Sequence, residues 1–404
     1  MFSRRGVVAV VIAATIQQEL RQTALHCRTA PANRLHRWHS WRGWQVADSY
    51  ADAELEYFAC RNAATLFDLC PMSKYRIHGP DAQAFASRLV TRSLAKCRPG
   101  RVMYVALCND AGQLLDDGTL FCLGTDEFRL CTYGRHLDWL HANAFGFDVA
   151  VSDVTDAVAA IALQGPTSFS VLQALGLPDI AALRPYGLAS VHWQDLALTV
   201  SRTGFTGDLG YELWVDPESV VALWDALLEV GEPHGLVPMG TDALELARIE
   251  AGFLQSGVDF IEADHAIRPG RTRSPYELGL GWLVDLSKSV FNGRAALLAE
   301  HAAGGGRWTL QRFDVDGNKP AQSAYIQTRR GDVAGFVTSA AWSPVAKRNV
   351  ALAHVERRFV GQPLFADIYT RREMHWTRTL ARCQPVDGPF WNPPRRRATP
   401  PARY

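Results

Sequence analysis

The sequence predicts an α+β protein of more than one domain that ends in a small β-barrel. Three observations support this prediction. The 404 residues are too many for one ordinary core. Short strands and helices alternate irregularly as far as Arg248, without the β-α repeat of a doubly wound sheet. From Gly304, after the flexible stretch "AAGGGR", only strand-like runs separated by turn residues follow, which is typical of a barrel or sandwich.

The N-terminal part begins with a segment that we place outside the fold. The apolar run at 7–16 is too short to span a bilayer, and it resembles a signal-peptide core that lacks a cleavage site. We therefore predict that residues 1–30 form an extension. A helical pattern then covers 51–66, and the alternating run "MSKYRIHG" predicts a strand. Two strands joined by the turn at 109–112 predict a hairpin.

The remaining elements divide the chain into two folded regions and a tail. A strand over 126–133 and a helix over 135–145 continue the mixed region, which we assign to 31–303. The barrel domain is assigned to 304–390. The tail at 391–404 is rich in proline and arginine, and we expect it to be an exposed terminus, with nucleic-acid binding as the second interpretation.

Composition and missing motifs exclude several classes of function. Apolar residues at 48% and charged residues at 21% are typical of a soluble globular protein. A net charge of +1 favours neither nucleic acid nor a membrane as a partner. The eight cysteines form no C-x-x-C pair and no zinc-type group with histidine, so we predict no metal site and a reducing, cytoplasmic location. Dinucleotide, phosphate-loop, H-E-x-x-H and G-x-S-x-G motifs are absent from the sequence.

Two adjacent aspartates in the predicted hairpin are candidates for chemistry. Asp116 and Asp117 follow one another in a strand, so their side chains point to opposite faces and only one can face a given cavity. The alternative interpretation is a charged strand end beside a turn.

The helix "GTDALELARIEAGF" carries a second acidic group. The spacing of Asp242, Glu245 and Glu250 is compatible with metal ligands. We prefer a solvated helix face on which Arg248 supplies the counter-charge.

A third candidate is the carboxylate of Glu212 in "SRTGFTGDLGYELWV", which lies in the middle of a strand that otherwise has the pattern of a core strand. An unpaired buried carboxylate is costly, so Glu212 requires either a ligand or a basic neighbour. The glycines before it let the backbone turn tightly and approach a ligand closely.

Together with other segments, these motifs resemble the glycine cleavage T-protein family of tetrahydrofolate-dependent aminomethyltransferases. That family also includes folate-dependent demethylases and the folate-binding halves of dimethylglycine and sarcosine dehydrogenases. The resemblance runs in unbroken order through "WRGW", "RNAATLFDLCPMSKYRIHGPDA", "RPGRVMYVALCNDAGQLLDDGTLF", "ALQGPTS", "SRTGFTGDLGYELWV", "GTDALELARIEAGF", "SPYELGLGWLVDLSKSVFNGRAAL" and "GFVTSAAWSPVAKRNVALAHV". It implies three domains in a ring-like arrangement around a central folate cavity, the last being the small β-barrel.

The resemblance also implies roles for individual residues. Glu212 matches the family's folate-binding glutamate, and one carboxylate can accept both adjacent N–H donors of a pterin. Asp117 matches the catalytic aspartate near the reacting folate nitrogens, where a negative charge raises nucleophilicity or stabilises a developing cation.

Four further residues fall on positions that contact the folate in relatives. Tyr104, Met72 and Trp282 match residues that line the cavity. Phe205 stands where many relatives have tyrosine, so the ring contact is kept without the hydroxyl. The cofactor that the resemblance implies is tetrahydrofolate.

Two departures from the family pattern concern the donor of the one-carbon unit. Pro71 stands where glycine-cleaving members have histidine, and Leu244 stands where they have arginine. Both argue against an aminomethyl group carried on a lipoyl protein and favour a free, small, methylated donor. Because no FAD domain is recognised, we expect direct methyl transfer, or a one-carbon unit received from a separate oxidase, dehydrogenase or carrier protein.

The sequence thus predicts an enzyme that transfers a methyl or methylene group to tetrahydrofolate from a small methylated donor. One alternative is a true glycine cleavage aminomethyltransferase that works with a lipoylated carrier protein. The other alternative is a non-catalytic folate-binding regulatory protein.

Overall fold

The structure is a computed structural model, and it describes residues 20–268 and 270–402. Its helices are α1 (His26–Ala32), α2 (Ala53–Asn62), α3 (Ala82–Leu89), α4 (Leu137–Ala144), α5 (Ser168–Ala174), α6 (Val220–Gly231), α7 (Thr241–Glu250) and α8 (Arg294–Ala302). Within these ranges we find no helix whose length and apolar character would let it cross a membrane.

The strands of the mixed region are β1 (Trp38–Trp41), β2 (Trp44–Ala47), β3 (Ala64–Asp68), β4 (Ser73–His78), β5 (Arg101–Cys108), β6 (Leu114–Cys122), β7 (Glu127–Thr132), β8 (Ala150–Asp153), β9 (Ala159–Gln164), β10 (Leu188–Trp193), β11 (Leu196–Ser201), β12 (Gly210–Val215) and β13 (Leu236–Pro238). The strands of the last region are β14 (Trp308–Val315), β15 (Tyr325–Thr328), β16 (Val333–Ser343), β17 (Arg348–Glu356), β18 (Leu364–Arg372) and β19 (His375–Pro385).

Two sheets form the centre of the mixed region. The larger has the order β10-β11-β12-β9-β3-β13. In it β13 is parallel to β3, and every other pair of neighbouring strands is antiparallel. The smaller is antiparallel with the order β5-β6-β7-β4-β8, and it contains the predicted hairpin. β1 and β2 form a separate two-stranded ribbon.

Three apolar cores hold these layers together. The first lies between the larger sheet and helices α5 and α6, and it includes Phe169 and Trp224. The second packs the smaller sheet against α3 and α4. The third joins the two sheets, and there the rings of Phe121 on β6 and Trp214 on β12 meet edge to face at 4.9 Å. Because side chains alternate along a strand, Asp117 and Glu212 share the faces of Phe121 and Trp214 and point into the space between the sheets.

The last six strands close into a barrel with the order β14-β17-β16-β15-β18-β19, and β19 pairs back onto β14. Its interior is filled by apolar side chains such as Phe313 and Ile326. The predicted fold class, α+β with a C-terminal β-barrel, is confirmed.

Helix α7 has the predicted pair of Arg248 with half-exposed Glu245, but buried charges on the same helix join it to the barrel and contradict a fully solvated face. Glu250 is fully buried and accepts hydrogen bonds from Arg61 at 2.7 Å and from Ser343 of β16 at 2.6 Å. Arg248 is also fully buried and is ion-paired with Asp259. The prediction failed because a charge pattern on a helix does not show which distant strand covers it.

Two predicted boundaries were also wrong. Residues 20–30 belong to the fold, since Leu25 is fully buried in the first core and Thr23 donates to Asp68 at 2.7 Å. The apolar run at 7–16 lies outside the described residues. The helix predicted over 51–66 ends at Asn62, and 64–68 is strand β3. All five side chains of β3 are buried, and an apolar run of that kind fits a helix or a central strand equally well.

Candidate active site

A cavity of about 660 Å³ lies where the two sheets meet helix α7. This volume is within the range of small-molecule and cofactor sites. Five of the six residues predicted for the site line its wall, although they come from five separate segments: Met72, Tyr104, Asp117, Phe205 and Glu212. The structure therefore brings together the predicted catalytic aspartate and most of the predicted binding residues.

Trp282 is the sixth predicted residue, and it is not among those that line the cavity. Its side chain is 61% exposed. The indole ring lies 6.0 Å from the ring of Tyr104, and the guanidinium of Arg92 lies over it at 5.4 Å. Trp282 thus contacts a residue of the wall instead of forming the wall, and its contact with a ligand stays a prediction.

Glu212 is a carboxylate whose partners are two hydroxyl groups. Thr203 Oγ1 donates to Oε2 at 2.6 Å, and Ser201 Oγ lies at 3.5 Å. Among the described residues, none of the ion pairs involves Glu212. Burial raises the pKa of Glu212 to about 7, although both hydroxyl contacts oppose the rise. The sequence analysis required either a ligand or a basic neighbour for Glu212. The described residues supply no basic neighbour that forms an ion pair with it.

Asp117 faces the cavity from β6, and Tyr104 Oη donates to its Oδ2. Burial and the negative charge of Asp116 raise the pKa of Asp117 to about 7, while the bond from Tyr104 opposes this. Asp116 is fully buried on the opposite face of the strand, as the alternation along β6 requires. The cavity therefore contains two carboxyl groups that hold protons more tightly than usual.

The glycines before β12 make room for the side chain of Gln164. A Cβ at Gly204 would lie 1.9 Å from Gln164 Oε1, and a Cβ at Gly210 would lie 2.3 Å from the same atom. Gln164 Nε2 donates to the carbonyls of Thr203 and Tyr211, both at 3.2 Å. Since Thr203 also bonds Glu212, Gln164 fixes the loop that orients the carboxylate.

Flat aromatic rings form much of the remaining wall. Phe205 and Phe253 are stacked with their ring centroids 5.5 Å apart. Trp41 and Tyr133 are stacked at 5.4 Å. All four rings line the cavity, so it can hold a planar ligand by stacking.

The segment after the barrel closes one side of the cavity, so the prediction of an exposed tail holds only in part: residues 397–400 are exposed, but the segment is bonded to the rest of the fold. Arg395 binds both carboxylate oxygens of Asp208, at 2.6 and 2.8 Å. Arg202 donates to the carbonyls of residues 396 and 398. These bonds place Arg396 and Arg397 in the cavity wall. Neither has an ion pair among the described residues.

The sequence prediction does not include Arg396 and Arg397 of the tail. Both lie in the run "RRR" between prolines. Because this run has neither helical nor strand periodicity, the sequence does not show which of its side chains point towards the protein. Thr203 was also not singled out, although it lies in the quoted stretch before Glu212. Thr203 reaches Glu212 because β11 and β12 are antiparallel neighbours that pair Ser201 with Glu212, and this register is known only from the structure.

Comparisons with known proteins agree with this architecture. The family model described as "GCVT N-terminal domain" matches residues 33–288, and that described as "Glycine cleavage T-protein C-terminal barrel domain" matches 309–391. An aminomethyltransferase of Halothermothrix orenii is 32% identical over 317 residues, which cover 78% of this chain and 86% of the relative. A trimethylamine-oxide aldolase of Ruegeria pomeroyi is 35% identical over 356 residues, which cover 83% of this chain but 43% of that longer protein.

A solved structure shows the same fold. The glycine cleavage system aminomethyltransferase T of Bartonella henselae superposes with a TM-score of 0.80 over 92% of this chain and 98% of the other, at 24% identity. The two domain matches and the relatives above 30% identity agree with one another. This chain therefore belongs to the glycine cleavage T-protein (aminomethyltransferase) family of folate-dependent transferases.

Proposed function

We propose that this protein transfers a one-carbon group from a small methylated donor to tetrahydrofolate. The observation that carries the proposal is the pair Asp117 and Glu212. They reach one cavity from two facing sheets, and the described residues give neither of them a cationic partner. Carboxylates left in this state are costly to a protein unless a ligand uses them.

The cavity fits a reduced folate by the chemistry of its walls. Glu212 accepts the adjacent N–H donors of the pterin as a charge-assisted pair, with Thr203 holding the carboxylate in place. The stacked rings of Phe205 and Phe253 suit a flat heterocycle. Arg396, whose guanidinium lies 5.1 Å from the ring of Phe253, and Arg397 supply positive charge for the carboxylates of the ligand.

Tetrahydrofolate, when bound, supplies a nucleophilic ring nitrogen that accepts the one-carbon unit. The contribution of Asp117 is a carboxylate that takes up a proton at Oδ1 or Oδ2 when a cationic nitrogen forms nearby. The hydroxyl of Tyr104 fixes the orientation of that carboxylate. A pKa of about 7 suits this role, because the group is then able to both accept and release a proton near neutral pH.

The donor end of the cavity supports a free small molecule. Leu244 lines the cavity with an apolar side chain at the position where glycine-cleaving relatives have an arginine. Pro71 replaces their histidine. The relative named trimethylamine-oxide aldolase extends the comparison to the chemistry of methylated amines, although it is more than twice as long as the matched part.

A second candidate is the aminomethyltransferase of a glycine cleavage system, which receives its substrate on a lipoylated carrier protein. The names of the relatives that match over most of their own length favour this function. The two candidates use the same folate site and differ in the donor.

A donor screen tests the proposal. The purified protein is incubated with tetrahydrofolate and, in separate reactions, with methylated amines, sulfonium compounds and an aminomethylated carrier protein, each beside a reaction without enzyme. Mass spectrometry distinguishes 5-methyl- from 5,10-methylene-tetrahydrofolate. We expect product from a free donor in wild type and none in Glu212→Gln, with exposed Glu218→Gln as the matched control. Product from the carrier alone would replace our proposal with glycine cleavage. Folate binding without product from any donor would favour the regulatory alternative.

A further inference from the structure

The fully buried Asp116 has a set of partners that the proposed reaction does not explain. Its Oδ2 accepts from the backbone N–H of Gly134 at 2.7 Å and lies 3.0 Å from Nε2 of His136. Its Oδ1 accepts from the backbone N–H of Asp117 at 2.9 Å. Asp116 is therefore bonded directly to the backbone of the proposed catalytic residue.

His136 is the cationic partner available to Asp116. The ring is buried, and Oδ2 of Asp264 lies 3.9 Å from Nδ1. Burial opposes a charged ring, but the bond to Asp116 and the charges of Asp116, Asp264 and Glu262 together raise the pKa of His136. Nε2 carries a proton in both the neutral tautomer and the cation that can donate to Asp116, and the three carboxylates around the ring favour the cation.

The other charged groups around Asp116 and His136 form ion pairs with one another. Glu262 is buried, and it is ion-paired with Arg42, while Nδ1 of His265 lies 2.6 Å from it. A Cβ at Gly134 would lie 2.9 Å from Nε2 of His136, 3.0 Å from Oε1 of Glu262 and 3.1 Å from Oδ2 of Asp116. Three polar groups thus surround one backbone position, and any larger residue there would have to displace them.

Within 20–268 and 270–402, the neighbours of Asp117 itself include no cation that could replace His136. Tyr104 donates a neutral hydrogen bond, and the charges of Asp116 and Asp259 are both negative. Asp259 is itself ion-paired with Arg248. Tyr75 contacts the backbone of His136 through its hydroxyl and does not change the charge.

We propose that Asp116 and His136 form a positioning pair for Asp117, in which protonated His136 balances the charge of Asp116 so that Asp117 can ionise beside it. The pair also fixes the backbone of Asp117 through the bond to Oδ1. A contribution of the Asp116–His136 pair to catalysis rests on the proposed function. The effect of the pair on the charge of Asp117 does not depend on that function.

The consequence is that changes to the two partners act in opposite directions. Removing the cation with His136→Gln leaves a negative charge behind Asp117, which raises the pKa of Asp117. Removing the anion with Asp116→Asn lowers it. A nearby charge of either sign changes a carboxyl pKa by about one or more, which is large enough to measure.

The test uses protein labelled with ¹³C at aspartate carboxyl groups, without any ligand. The Asp117 signal is assigned by its loss in Asp117→Asn, and its chemical shift is followed against pH in wild type, His136→Gln, Asp116→Asn and the exposed control His192→Gln. We expect a decrease of about one in the pKa of Asp117 in Asp116→Asn, a smaller increase in His136→Gln, because His136 lies behind Asp116, and no change in the control. Equal pKa values in all four proteins would overturn the proposal.

Folding and function are separated by two further measurements. Circular dichroism reports whether each variant is folded, and Asp116→Asn is nearly isosteric, so it tests the proposal even if His136→Gln does not fold. In the folate assay, the acid limb of the pH profile should shift in the same direction as the pKa. Opposite pKa changes without any turnover in wild type would refute the proposed function and keep the charge-balancing pair. Turnover with an unchanged pKa would refute the pair alone.

Discussion

Replacing Glu212 with glutamine should make the ligand-free protein more stable while removing its affinity for folate. In the folded protein the carboxyl group has a pKa of about 7, against an ordinary value of 4.5. The folded state therefore binds the proton more tightly than the unfolded chain. It follows that the free energy of unfolding decreases as the pH rises from about 4.5 to about 7 and is constant above that range. Glutamine does not titrate, so this loss is absent from the variant.

The size of the effect follows from the same two values. A difference of one in pKa corresponds to about 1.4 kcal/mol, so the uncompensated charge costs at most about 3 kcal/mol. Glu212 is partly exposed to the cavity, and water there reduces the cost, so we expect a gain of about 1–2 kcal/mol above pH 7. The gain should vanish below about pH 4.5, because the carboxyl group is then protonated in both states.

The assay is thermal unfolding at about pH 5 and about pH 8 with and without 5-formyltetrahydrofolate, which resists oxidation. At about pH 8 we expect the midpoint of ligand-free Glu212→Gln to lie about 3 °C above that of wild type, and the ligand to raise the midpoint of wild type only. Glu218→Gln, on the exposed surface, should behave as wild type in every condition. The reasoning is refuted if Glu212→Gln is no more stable than wild type at high pH, or if the ligand stabilises both proteins equally.

Three further changes test other parts of the structure. Asp117→Asn should reduce turnover by at least about 100-fold with folate affinity retained, measured by kinetics and calorimetry; lost affinity would make Asp117 a binding residue. Asp110→Asn, in the exposed hairpin turn, is its control. The double change Arg396→Gln and Arg397→Gln should weaken folate binding about 10-fold at low salt and less at high salt, whereas a salt-independent loss would contradict a charge contact. Glu250→Gln should destabilise the protein by about 3 kcal/mol in urea unfolding, because buried Arg61 then loses the nearer of its two carboxylate partners and keeps only Asp208 at 3.7 Å; a change near zero would mean that Asp208 or water compensates for the lost charge.

Sequence patterns predicted the orientation of a side chain correctly where its own strand determines that orientation. Alternation along β6 and β12 puts Asp117 and Glu212 on defined faces, but it was the family resemblance that selected Asp117 over Asp116 and assigned both carboxylates to one cavity. The barrel could also be predicted from the sequence, because turn residues separate its strands at short intervals.

The failures arose where a distant segment decides the environment. Helix α7 has an amphipathic charge pattern, but Ser343 and Arg61, remote in sequence, bury its Glu250. Strand β3 has no alternation, because both of its faces are covered. The tail arginines follow no period at all, and their place depends on Asp208 and Arg202. Tertiary contacts of this kind leave no local trace in composition or periodicity.

The bond between Asp208 and Arg395 joins residues 187 positions apart, and it has a consequence for the order of events during synthesis. When the loop before β12 leaves the ribosome, the barrel and the segment that anchors this loop have not yet been made. At about 5–20 residues per second, the nascent chain waits on the order of ten seconds or more with one wall of its ligand site open. The wall of the cavity is therefore complete only after the chain has been translated through residue 398.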